Sequence, residues 1–195
     1  MTATATATPT RWIVNGIDFR NLVWVALVVA VMIYAIVAGP LGFLRFYHIL
    51  TGILWTGADL LLGFLIGPIL RKLDFPSRRA FTLRMLPKTL FFMTTVGVVA
   101  PTSGFFLADQ MGYLDLGYPQ FWWVIATLVI AGILAVQGLG ILLPTNVRVY
   151  LEVRKEQPDA DKVQRIMKRY FRTTAIQGTM QIVMVAIMVK FTLGL

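Results

Sequence analysis

The sequence predicts an all-α membrane protein, a polytopic helical bundle of five transmembrane helices with the N-terminus cytoplasmic and the C-terminus outside. Three observations carry this. Hydrophobic residues are 57% of the 195 and charged residues only 14%, with a mean hydropathy of +0.74, so water is not the main solvent of this surface. The apolar residues fall in blocks long enough for a bilayer, which takes about 20 residues of helix. Turn-forming clusters punctuate those blocks.

The spans fall at about residues 21–39, 42–70, 86–108, 120–143 and 173–193. The first is long for a signal segment and lacks a clean cleavage signal, so it is read as a retained helix. Gly39-Pro40 punctuates the first turn and Asp74-Phe75-Pro76-Ser77 the second. Gly112 to Pro119 forms the third, and Pro144-Thr145-Asn146 closes the fourth span. Barrel strands would show shorter, alternating segments. Residues 1–10 are an Ala/Thr-rich leader with nothing to bury and are read as disordered. The chain 1–195 is read as a single membrane domain.

Lys and Arg set the orientation. Arg71, Lys72, Arg78, Arg79, Arg84 and Lys88 crowd one connection, residues 145–172 form a second basic loop, and Asp109 to Pro119 holds no basic residue. Basic loops are retained in the cytoplasm. Of the 18 Lys and Arg, all but Arg45 and Lys190 then lie inside. The formal charge of +9 sits beside apolar blocks without an aromatic-basic binding module. It points to anionic headgroups of the lipid bilayer and not to nucleic acid. Within the basic loop, Val163, Ile166, Met167, Tyr170 and Phe171 recur at helical spacing. They predict an amphipathic helix along the headgroups or an extension of the last span. Trp12, Trp24, Trp122, Trp123, Tyr113 and Tyr118 fall near span ends, as interfacial anchors do.

The second span carries Arg45, His48, Trp55 and Asp59 at spacings that bring them onto one stripe of a helix. An ionisable group in hydrocarbon is costly unless paired, hydrated or neutral, so this stripe faces the bundle interior or a partner subunit. Asp59 is a candidate proton or ion relay, or else a carboxyl that ties helices together. His48 is the single histidine, and there is no cysteine. Any imidazole-ligated metal or haem therefore has this one ring per chain, with Met, Lys, water or a second protomer completing the set. Thr94, Thr95, Thr102 and Ser103 surround Pro101, where a kink is expected. Gln137, Gln177 and Gln181 are read as interhelical glue. The small-residue steps Gly52 to Thr56, Gly63 to Gly67 and Leu134 to Gly138 would let helices approach closely. Met180, Met184 and Met188 are read as a packing stripe, with soft-metal binding as the alternative.

The run Phe46-Tyr47-His48-Ile49-Leu50-Thr51-Gly52-Ile53-Leu54-Trp55-Thr56-Gly57, then an apolar stretch to Pro68 and a basic loop, resembles a helix of small polytopic membrane proteins. That group includes CopD-type copper-resistance proteins, HemJ-type protoporphyrinogen oxidases and the membrane part of some urate oxidases. The likeness covers about residues 43–105. It implies b-type haem in membrane redox chemistry, with His48 as ligand; Arg45 and Trp55, on the same stripe, are candidates to line that cofactor site. The HemJ pattern also uses a lysine in a later span, and Phe121 to Leu143 has none.

Three readings follow. The first is an integral cell-membrane subunit, oligomeric or joined to other membrane subunits, with a polar site on its second helix that holds haem b. The second is a proton or cation transport protein using Asp59. The third is a structural accessory subunit of a larger membrane complex. With no nucleotide loop, metal-ligand cluster or catalytic triad visible, no catalytic residue is assigned, and enzyme activity is left open.

Overall fold

The computed structural model describes residues 13–14 and 17–192. The leader, Arg11 and Trp12 lie outside the described residues. Two short strands, β1 (Ile13–Val14) and β2 (Ile17–Asp18), pair antiparallel ahead of the helices, an element the sequence reading did not assign. All else of regular structure among the described residues is helical.

Four helices there are long and apolar enough to cross a membrane: Leu41–Lys72, Phe75–Gln110, Phe121–Val153 and Ala160–Lys190. The first comprises α2 (Leu41–Leu60), a π-helical turn (Leu61–Ile66) and α3 (Gly67–Lys72). The second is α4 (Phe75–Gln110), and the third joins α5 (Phe121–Ala135), a second π-helical turn (Val136–Leu142) and α6 (Leu143–Val153). The fourth is α7 (Ala160–Thr192). The first expected span is α1 (Asn21–Val37), with 17 residues. At 1.5 Å per residue it is about 26 Å long, just under the hydrocarbon thickness.

The helices outrun the expected spans at the basic end. Residues 145–172 are not a loop: α6 runs to Val153 and α7 starts at Ala160, leaving 154–159 as the connection. Pro144 does not close its helix, because a widened turn precedes it and absorbs the misfit. Pro68 follows the other π turn in the same way. A proline lacks the N–H that would bond the carbonyl four residues back, and its ring crowds that carbonyl. A π turn re-spaces the ladder there while the helix continues.

The amphipathic stretch is the N-terminal part of α7, an extension of the last span, and its apolar face is turned into the core. Val163, Met167, Tyr170 and Phe171 are buried in the main core with Leu70, Leu86, Val149, Tyr150 and Val153. At this end α4 and α6 present an apolar wall, and α7 covers it. The same region ties the two basic segments together. Arg79 donates to the carbonyls of Val153 and Lys155, each at 2.8 Å. Lys155 and Lys162 flank the carboxylate of Glu152, whose side chain is buried, at 3.0 and 2.7 Å. Arg78 donates to the carbonyls of Leu70 and Leu73, satisfying acceptors at the end of α3. Asp74 caps α4 by accepting from the Ser77 amide at 3.2 Å.

Aromatic anchors gather at the opposite end. Tyr118, Trp122 and Trp123 are exposed there, and the ammonium of Lys190 lies 4.5 Å from the centre of the Trp123 ring. That contact lets a basic residue near the last helix end rest at the interface.

Candidate functional site

The buried residues of α2 are Leu44, Tyr47, Thr51, Trp55 and Asp59, a stripe with the three- and four-residue steps of a core-facing helix. Asp59 falls near the middle of the 32-residue helix Leu41–Lys72. It is 0% exposed.

Glycines set its surroundings. A Cβ on Gly63 would lie 2.6 Å from the Ala175 Cα, and one on Gly67 would lie 2.8 Å from the Phe171 Cβ. Facing them on α7, a Cβ on Gly178 would come within 2.9 Å of the Leu60 side chain. The two backbones therefore approach as closely as bare helices allow, as small-residue seams do in membranes. Of the small-residue steps in the sequence, Gly63 to Gly67 makes this seam. Gly52 has nothing within 4 Å of its Cβ position and makes no such contact.

At this separation the short Asp59 side chain reaches α7. Gln177 and Gln181, one turn apart, both donate through Nε2 to Asp59 Oδ2, at 2.9 and 3.0 Å. Both glutamines are buried. Asp59 Oδ1, Gln177 Oε1 and Gln181 Oε1 are buried and have no hydrogen-bond partner among the described residues. No Lys or Arg forms an ion pair with Asp59 among the described residues. An amide is about as wide as a carboxylate, so all three orphaned oxygens lie within a few Å of Oδ2. Such acceptors are rare in folded proteins, because each forfeits the hydrogen bonds that water would supply.

Sequence reading assigned Gln177 and Gln181 to helix glue without joining them to Asp59. The signal was their i, i+4 spacing, which puts both amides on one face of α7. Gln137 acts as the glue predicted, donating to the Thr173 carbonyl at 3.2 Å.

His48 occupies a different environment. Its Nδ1 lies 3.0 Å from the Ala100 carbonyl oxygen. Since a carbonyl only accepts, this contact requires the proton on Nδ1, and in the neutral ring Nε2 then carries the lone pair. Ser103 Oγ donates to the same carbonyl at 3.0 Å. Gly104 makes room for the ring: a Cβ there would lie 2.6 Å from His48 Cε1. Neither Ala100 nor Gly104 was singled out from sequence. Beside His48 is a cavity of about 110 Å³ lined mainly by apolar residues, with Thr56 and Thr127 among the polar ones.

The structure thus separates the predicted stripe. Asp59 joins the glutamines of α7, His48 joins the backbone of α4, and Trp55 is buried between them at 3% exposure. Arg45 is exposed, with its nearest polar contact the Met111 sulfur at 3.6 Å, and it takes no part in either site.

A free Nε2 whose ring partner is fixed by a backbone carbonyl is the arrangement of a ligating histidine. The cavity is nevertheless smaller than the several hundred Å³ that even drug-sized ligands occupy. No group of three or more His, Cys, Asp or Glu suited to a metal ion occurs among the described residues. Comparison with family models, with curated proteins and with solved structures gives no match for this chain.

Proposed function

We propose that this chain is a multi-pass cell-membrane protein that binds and passes a proton or a small monovalent cation at Asp59. The observation that carries the reading is the set of three buried, partnerless oxygens around one carboxyl in mid-helix. A protonated Asp59 donates to a neighbouring amide oxygen, and a cation between the oxygens meets all of them. An ionised carboxylate with neither has only the two amide donors on Oδ2 to offset its desolvation. In this reading the chain has five spans, with α1 near the lower length limit. The N-terminus is cytoplasmic, the C-terminus is outside, and the exposed Arg165, Lys168, Arg169 and Arg172 meet anionic headgroups.

Flux measured in proteoliposomes under an imposed pH or sodium gradient tests it. Asp59→Asn abolishes flux while the protein remains folded. Unchanged flux in that variant sinks the reading.

A second reading keeps the haem expectation and is favoured by one observation, the Nδ1 contact of His48 to Ala100. The cavity beside that ring is about 110 Å³, and in this reading haem sits between His48 and a second copy or another membrane subunit. A Soret band lost in His48→Ala would support it. A featureless spectrum from assembled protein removes it. If flux is also absent, an accessory structural role is what stands.

A further inference from the structure

Two cavities lie end to end along the bundle. The first, of about 40 Å³, is lined by Thr89, Thr94, Asn146 and Gln177 among apolar residues, which is room for two or three waters. The second is the cavity of about 110 Å³ beside His48.

Their order is the same on α4, on α7 and along α5 and α6. On α4, residues 89–97 line the first and residues 100–108 the second. On α7, Tyr170 and Gln177 line the first, and Met184 and Met188 the second. From α5 to α6 the first takes residues 134–146 and the second takes residues 124–131. The first cavity therefore faces the end with the basic segments, and the second faces the end with the aromatic anchors. Trp55 lines both. It is the centre of an apolar layer with Val96, Ala100 and Leu134.

We propose that these cavities are the two half-channels of one ion path and that the Trp55 indole is its closed gate. The inference rests on the Asp59 reading. Gln177 lines the first cavity and also donates to Asp59, so the carboxyl connects with the basic end through that amide. Passage to the other end requires the indole to leave its seat. A ring can close such a path because an apolar constriction resists wetting until it widens. Opposite the ring stands Gly97, whose absent Cβ would lie only at van der Waals distance, 3.8 Å from the indole. No side chain at that position interlocks with it.

The chain has no cysteine, so single cysteines report on access without background. Thr94→Cys places a thiol in the first cavity and Thr127→Cys places one in the second. Silver ion, small enough for either, is applied to one face of proteoliposomes in chloride-free buffer. Protected thiols are counted by maleimide labelling after denaturation. In the otherwise unchanged chain, silver protects Thr94→Cys from the basic face only and Thr127→Cys from the opposite face only. Adding Trp55→Ala makes both accessible from both faces and raises passive proton leak several-fold. Trp55→Leu serves if the alanine variant does not fold. Protection of both thiols from the same face, or one-sided access that survives loss of the indole, overturns the gate. Asp59→Asn separates the two claims: if it leaves flux intact the Asp59 reading falls, whereas sidedness of access is a property of the cavities alone.

Discussion

The two ends of α2 bury titratable side chains in opposite ways. At His48 the helix meets α4, and the imidazole proton is taken up by a backbone carbonyl at 3.0 Å, with a glycine beneath the ring. At Asp59 the helix meets α7, and two amide donors are spent on one carboxyl oxygen while three acceptors remain without donors. The first site is satisfied at Nδ1 by its own fold. In the proposed reading the second is completed by a proton or a small cation. Buried acceptors left unpaired cost on the order of 1–3 kcal/mol each, and a membrane protein retains such a cost where it has a use.

Breaking the seam that creates the Asp59 site gives the largest effect. Gly63→Val puts a branched side chain into the Ala175 backbone, which has no rotamer to yield. Overpacking of this kind costs at least about 1–3 kcal/mol. The expected outcome is a strongly lowered Tm or loss of the monodisperse peak in detergent chromatography. A variant as stable as the parent would show that the π-helical turn after α2 and α7 are not in contact there.

Next in size is the carboxyl itself. Asp59→Leu strips the acceptor from two buried amides, at roughly 1–3 kcal/mol per orphaned group. Asp59→Asn keeps one oxygen and adds donors for a glutamine oxygen. Thermal unfolding should place leucine well below asparagine. If the two melt together, the hydrogen bonds from Gln177 and Gln181 are not what holds this site.

At the other end, Gly104→Ala drives a methyl into His48 and lowers Tm by an overpacking amount of about 1–3 kcal/mol. Combining it with His48→Ala relieves the clash, so the double variant loses less than the two single losses combined. Additive losses would mean that the ring does not rest on Gly104.

The smallest effect lies outside both sites. The hydroxyl and amide of Ser77 hold the exposed Asp74 carboxyl below its usual 3.8. A lowered value means the folded state favours the ionised form. Its contribution is therefore fully present above pH 3.8 and fades as pH falls through the lower folded value. Asp74→Ala should lower Tm slightly at neutral pH and give a shallower acid decline. An equal acid decline in both proteins would remove Asp74 as a cap.

Much of this was legible from composition and pattern. Apolar blocks too long for a soluble core required helices in a bilayer, because only closed backbone hydrogen bonding is tolerated there. The crowding of Lys and Arg into two segments marked one end of the bundle, and the structure joins those segments through Arg79. The stripe on α2 was visible because helical periodicity is a local property, and Trp55 and Asp59 are buried on it as the spacing requires.

Partnership was a different matter. Pro144 looked like a stop, yet the helix passes it through a widened turn, because its neighbours cover the re-spaced backbone. The apolar face of α7 near Tyr170 looked like a headgroup surface and is instead core, since its partners are residues far away in the chain. Nothing local said that Gly63 and Gly67 would meet Ala175 and Phe171, and without that approach Asp59 has no glutamines. The sequence by itself determined which side chains a bilayer would make costly and on which helix face they stand. Only the tertiary structure decided which of them are satisfied, because a hydrogen bond depends on a few tenths of an ångström between helices that the chain brings together from far apart.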